Sequence, residues 1–166
     1  MRRLGVSAGR ILDVQNNLAS LYDALGRFEE ALCMRQEVYS GLLKLSGEEH
    51  TSTLRAANNY AMTLIDLRRF EEAKALLRKT IPVTRRVLGD SHEYTLTMRA
   101  NYARTLYESP AATLDDLHEA VTTLEETART ARRFLGGAYP LTTGIERHLR
   151  NSRAALRARE TPSGDA

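Results

Sequence analysis

Three short words recur in this chain at a fixed interval, and that interval constrains the fold more than any other feature. Asn17-Leu18-Ala19 returns as Asn59-Tyr60-Ala61 and again as Asn101-Tyr102-Ala103, each 42 residues further on. The doublet Asn16-Asn17 returns as Asn58-Asn59. Gly26-Arg27-Phe28-Glu29-Glu30-Ala31 matches Arg68-Arg69-Phe70-Glu71-Glu72-Ala73, and Gly47-Glu48-Glu49-His50 matches Gly89-Asp90-Ser91-His92, both at the same spacing of 42. Independent words in one register mark a repeat array, in which each unit buries its apolar face against its neighbours.

Each repeat reads as two helices. Leu54, Ala57, Tyr60, Ala61, Leu64 and Ile65 follow the i, i+3, i+4, i+7 spacing of an amphipathic helix. Asp66 to Arg69 breaks the pattern, and Phe70, Ala73, Leu76, Leu77 and Ile81 then define a second stripe. Ala19, Ala61, Ala103, Ala31 and Ala73 fall where two helices must approach closely, and a larger side chain there costs roughly 1–3 kcal/mol by overpacking. Gly47 and Gly89 suit helix ends that need positive φ. His50 and His92 precede the next helix, and Tyr139-Pro140 places Pro at a first helical position, where its missing N–H costs nothing.

The spacing predicts an array over 10–159, with repeats at about 10–50, 51–92 and 93–139 and a capping helix over 140–159. Residues 1–9 read as a flexible lead and 160–166 as a disordered tail. The third repeat is stretched. Leu106 to Ala120 holds five more residues than Leu64 to Ala73, and the excess contains Glu108-Ser109-Pro110-Ala111-Ala112. Ser109-Pro110 and Thr113 to Asp116 both look like helix starts, so a longer loop or an extra turn is expected. Pro82 predicts a kink near Arg78 to Pro82.

Hydrophobic residues make up 42% and charged residues 27%, and Ala, Leu, Arg and Glu dominate, as in a folded, helical chain. A single cysteine, Cys33, excludes an intrachain disulfide and fits a reducing compartment. No apolar run approaches the roughly 20 residues that span a bilayer, and the basic start is a poor secretory signal. The localisation expected is cytoplasmic. From Arg129 to Arg159 there are eight Arg against one Glu, Glu146.

These words resemble the tetratricopeptide repeat, and most closely the 42-residue form of kinesin light chains. There the unit reads Asn-Asn-Leu-Ala, Leu-Tyr, Gly-Arg-Tyr-Glu-Glu-Ala, then Leu-Gly-x-x-His. Here Asn16-Asn17-Leu18-Ala19, Leu21-Tyr22, Gly26 to Ala31 and Leu88-Gly89-Asp90-Ser91-His92 carry it. The resemblance covers residues 10 to 145 and is specific for the repeat rather than for the motor subunit. No long heptad segment accompanies it here. It implies an all-α fold: a right-handed α-solenoid of antiparallel helix pairs, about three units plus a C-terminal capping helix. It further implies a concave groove, lined by the first helix of each pair, that holds a peptide by Asn side chains and basic residues.

Asn16, Asn17, Asn58, Asn59 and Asn101 are the first candidates for that groove. Asn is a mediocre helix former, so its repeated use within helices needs a reason. Its amide offers both donor and acceptor, which suits gripping a peptide backbone; alternatively, the amides bond neighbouring helices in the stack. The same face carries Ser20, Met62 and Arg104 one turn later, and Asp13, Arg55 and Thr97 one turn earlier. The last helix offers Arg147, His148 and Asn151. The groove is therefore expected to become more basic toward its C-terminal end, where Arg104, Arg147 and His148 suit an acidic or C-terminal carboxylate; the other reading is a solvated Arg face.

No Gly-rich phosphate loop, nucleophile elbow, paired carboxylates or metal-ligand spacing is visible. The acidic doublets begin second helices, where the helix dipole favours them. No catalysis, cofactor or metal is expected. Nucleic acid and membrane surfaces are disfavoured, because the Arg-rich segment lacks interleaved aromatics. The function expected is a protein-interaction scaffold binding a peptide; the alternative is the end segment of a longer solenoid. An uncovered first helix pair suggests self-association.

Overall fold

The computed structural model describes the backbone of residues 2–161 and the side chains of residues 9–161. Among the described residues there are seven helices and no strand: α1 (Arg2–Ala24), α2 (Phe28–Ser46), α3 (Thr51–Asp66), α4 (Phe70–Leu88), α5 (Glu93–Tyr107), α6 (Leu114–Leu135) and α7 (Pro140–Glu160). None of them is long and apolar enough to cross a membrane. The chain divides into two compact units, residues 1–87 and 88–166. In the first, α1 packs on α2 and α2 on α3, while α4 closes against both around a small cavity walled by Tyr39, Leu54, Ala57, Thr80 and Val83. In the second, α5 packs on α6, α6 on α7 and α7 on α5.

Close packing rests on alanine. Ala19, Ala61 and Ala103 on the first helices, and Ala31, Ala73 and Ala120 on the second, have no accessible surface. Each occupies the same place in its repeat. Larger apolar residues, Leu54, Leu64, Leu77, Leu96, Leu106 and Leu124, fill the space around them and are almost completely buried.

The turns explain the helix boundaries. Gly47, Gly89 and Gly136 share one register position and have φ of 84°, 92° and 90°. Only glycine takes that conformation without strain. Three residues later His50 and His92 cap α3 and α5: each Nδ1 accepts the N–H two residues on, of Ser52 and Tyr94, at 3.2 Å. The third such position is Tyr139, with Pro140 at the start of α7.

The extra residues of the third repeat go partly to the loop and partly to the helix. α5 stops at Tyr107, six residues connect it to α6, and α6 starts three residues earlier in register than α2 and α4 do. Thr113 is the effective cap. Its hydroxyl accepts the Asp116 N–H at 3.1 Å while the Asp116 carboxylate accepts the Thr113 N–H at 3.0 Å, a reciprocal capping box. Ser109 starts no helix. Its hydroxyl instead accepts the Ala111 N–H at 3.2 Å and folds a turn over Pro110.

One other expectation meets the structure differently. The segment over 1–9, read as a flexible lead, is helical from Arg2 onward; it contains no proline, and extending a nucleated helix costs little. Met1 and residues 162–166, where the tail was expected, lie outside the described residues. α4 runs through Pro82 to Leu88 as one helix. Pro82 leaves the Arg78 carbonyl without its usual donor, and the hydroxyls of Thr80 and Thr84 donate to the Leu76 and Thr80 carbonyls at 2.9 Å on the buried side.

The first repeat carries a buried charge where the others carry hydrocarbon. Arg35 is 6% exposed, at the register position of Leu77 and Leu124. Its guanidinium donates to Asp23 at 2.5 and 3.2 Å, to the Ser20 hydroxyl at 3.3 Å and to Asn16 Oδ1 at 3.4 Å. Asp23 stands where the second repeat has Ile65, itself buried. The ion pair thus stands where the second repeat has Leu and Ile. Removing one partner strands the other, whereas replacing both with hydrocarbon removes two desolvated charges. Asp23→Ala is therefore expected to destabilise the chain by about 3 kcal/mol, and Arg35→Leu with Asp23→Ile to leave it unchanged or more stable, as read by urea unfolding. In the same assay Ala61→Leu is expected to cost roughly 1–3 kcal/mol, because no space exists for the added atoms.

Candidate functional site

The expected groove residues fall into two groups, one in each unit. In the first unit they are largely committed to one another. Asn59 of α3 donates to Asn16 Oδ1 of α1 at 3.2 Å, and the same oxygen faces Arg35. Thr63 closes the network, its hydroxyl lying 3.5 Å from Asp23 and 3.3 Å from the Asn59 carbonyl. This polar cluster ties α1, α2 and α3 together. Arg55 reaches back 42 residues to Asp13 at 3.4 Å. Asn58 is buried, with its amide 3.7 Å from the Met62 sulfur. Asn17 and Met62 are exposed.

In the second unit the C-terminal end of α5 and the middle of α7 bring several candidates together. Arg104 is held by Glu108 through two contacts of 2.9 and 3.3 Å. The Tyr107 hydroxyl lies 2.8 Å from His148 Nδ1, with the Glu108 and Asn151 side chains close by. Arg147 and Asn151 are exposed, and His148 is half-buried. Asn101 is buried and engaged within the fold, as Asn58 is; neither offers a ligand an open amide. The physical reason is register: a helix has one face toward its partners, and the buried positions on it exclude a peptide.

The electrostatics of this cluster follow from burial. Desolvation, then the nearby Glu108 carboxylate, push the Tyr107 phenol well above its ordinary value, so it remains neutral. Desolvation, then the Arg104 guanidinium, hold His148 below the usual imidazole value, against the opposing pull of Glu108. The result is a neutral Tyr–His pair between two arginines and one carboxylate. Such a surface offers donors of fixed direction and two cationic groups. Among the described residues, no three His, Cys, Asp or Glu side chains converge as a metal site.

Tyr107 and Glu108 were not among the sequence candidates. Their signal lay in the register: Tyr107 occupies the position of Ile65, a core residue of the second repeat. A polar aromatic there, beside the stretched loop, marks a departure from the repeating core. The same signal would have found Asp23 and Arg35.

Comparison with known proteins places this arrangement. A kinesin light chain-like protein of Podosopora anserina, built of nearly identical TPR-like repeats, is 23% identical over 89% of this chain, with a TM-score of 0.77. BtubC (BKLC) from P. vanneervenii is 19% identical over 93% of the chain, with a TM-score of 0.58. The chain spans 67% and 65% of those two structures' own lengths. A single-substitution variant of the Podosopora anserina protein is 19% identical over 92% of this chain and 89% of its own, at a TM-score of 0.53. At these identities the likeness speaks for the fold alone: all-α helix pairs of the TPR-like solenoid class. No curated protein matches the sequence. The tetratricopeptide repeat family model matches residues 11–52 and 53–94, about half of the chain in two consecutive 42-residue units, and the chain belongs to the tetratricopeptide repeat family.

Proposed function

We propose that this protein is a non-catalytic scaffold that binds a short acidic peptide segment of a partner where the C-terminal end of α5 meets the middle of α7. A role in protein–protein interaction follows from the repeat family itself. The finer reading rests on one observation, the convergence of Arg104, Tyr107, His148 and Asn151 in a single partly open cluster. Arg104, Tyr107 and His148 are already oriented by neighbours, so a ligand pays little to order them. Arg147 is exposed beside them and supplies a cation for a carboxylate, while Arg104 can share Glu108 with the ligand or exchange it. Charge-assisted hydrogen bonds of this kind contribute about 1.5–3 kcal/mol each.

A second reading is the end segment of a longer solenoid. It draws support from α7, where exposed Arg150 and Arg153 stand in register with Ala103 and Leu106, the buried residues with which α5 packs. A helix lined that way is suited to face solvent.

Screening acidic peptides by fluorescence anisotropy is expected to yield ligands with a Kd below about 100 μM. Arg104→Ala and Arg147→Ala should each weaken them by about tenfold, consistent with the loss of one charge-assisted bond. A screen without ligands at that level, or ligands indifferent to both substitutions, refutes this site. Affinity should also depend on pH. A bound carboxylate favours protonated His148, whose value in the free protein is depressed below 6.5. Binding therefore takes up a proton, and affinity should rise as pH falls from about 7 to 5, by up to about tenfold for each unit that the ligand raises the imidazole value. His148→Asn should flatten that dependence.

A further inference from the structure

We infer that α1 is a self-pairing surface through which two copies of this chain associate about a two-fold axis, with their α1 helices antiparallel. This inference is independent of the peptide site. Ile11, Val14, Leu18, Leu21 and Leu25 are each between 39% and 66% exposed. Their spacing of 3, 4, 3 and 4 residues is that of a helix–helix seam. Leu45 of α2, also exposed, extends the stripe across a shallow apolar groove floored by Leu12 and Gly41. Contiguous exposed apolar surface of this kind is often an interaction site in a folded protein.

The register says what does not cover it. The first helices of the later repeats share a pattern on this face. Ile11 and Leu21 stand where α3 has Thr53 and Thr63 and α5 has Thr95 and Thr105, all four buried. Leu18 stands where those helices have Tyr60 and Tyr102. α7 keeps Thr142 and Ser152 at the two Thr positions, again buried. Where this face packs on a preceding pair within a unit, as in α3 and α7, the chain therefore uses hydroxyl-bearing residues. α1 uses none of them and substitutes branched aliphatic side chains at heptad spacing. That is the composition of a seam between like helices rather than of a stacking face.

Charge supports the same occupant. From Ile11 to Leu25 the only charged residues are Asp13 and Asp23, engaged by Arg55 and Arg35 within the unit. Two copies of this face thus meet without like-charge repulsion. The nearest cations, Arg10 and Lys44, lie toward the N-terminal end of α1. Antiparallel pairing puts them by the carbonyl end of the partner's α1, where the helix dipole favours positive charge. Head-to-tail growth is disfavoured, because α7 carries exposed Arg150 and Arg153 in place of apolar packing residues. The apolar face finds its match in another copy of itself, an isologous contact that closes at two chains.

Sedimentation equilibrium on the full chain, from about 1 to 200 μM, is expected to show a monomer–dimer equilibrium with a Kd of about 1–100 μM, as for a small interface. Leu18→Glu with Leu21→Glu should give a monomer with unaltered circular dichroism, since both residues are exposed; Leu18→Met with Leu21→Met should keep the dimer. In a Cys33→Ser background, Leu18→Cys at the middle of the seam should form an intermolecular disulfide on oxidation, while Ile11→Cys should not. A single-chain mass over the whole range, a dimer that survives the double Glu substitution, or masses that grow beyond two chains would each overturn the inference. Crosslinking through Ile11→Cys and not Leu18→Cys would overturn the antiparallel arrangement.

Discussion

Two helices can approach closely only where neither presents more than a methyl group, and six alanines in register meet that condition here. Ala19, Ala61 and Ala103 on the first helices, with Ala31, Ala73 and Ala120 on the second, are inaccessible to solvent. Everything around them depends on the resulting distance. The surrounding leucines reach their partners because the backbones are near. The hydroxyls of Thr63 and Thr105, two residues further along the first helices, are buried and bonded within the fold. The recurrence of an alanine at the same place in each repeat therefore reflects a packing requirement repeated in space.

That requirement made much of the fold legible before any coordinates. Residues that answer to a local rule were readable one at a time: Gly47 and Gly89 by their φ, His50 and His92 by their place before a helix, Pro140 by its tolerated position. The stretched third repeat was readable as a length, but its division between loop and helix was not. Ser109-Pro110 and Thr113 to Asp116 offered rival starts. The capping box, which satisfies two backbone N–H groups against one for a simple turn, decided between them. The candidate site was less legible. Whether Asn59 faces a ligand or Asn16 depends on a residue 43 positions away, and Asn alone does not carry that information.

The repeat also shows how one position takes different roles. The second-helix position of Leu77 and Leu124 holds Arg35, and the first-helix position of Ile65 holds Asp23 or Tyr107. Each polar substitution in this core is accompanied by a matching partner. Arg35 comes with Asp23, Ser20 and Asn16; Tyr107 comes with His148, Asn151 and Glu108. A buried polar group without partners costs several times what a hydrogen bond returns. Such residues therefore change together, and a departure from the repeat at one position signals others nearby.

This coupling separates structural polarity from functional polarity. Around Arg35 the donors and acceptors largely satisfy one another, and the guanidinium is nearly inaccessible. Such a network specifies how α1, α2 and α3 assemble and has little left to offer a ligand. Around Tyr107 the same logic stops short of closure. His148 is only half-buried, and Asn151 and Arg147 remain exposed at its edge. α7 supplies His148 at the position of Asn17, Asn59 and Asn101, so the register that serves as internal glue in the first unit becomes a partly open surface in the second. A repeat protein can acquire a binding site this way without altering its backbone: a packing position is exchanged for a polar one, and its partners are left incompletely satisfied.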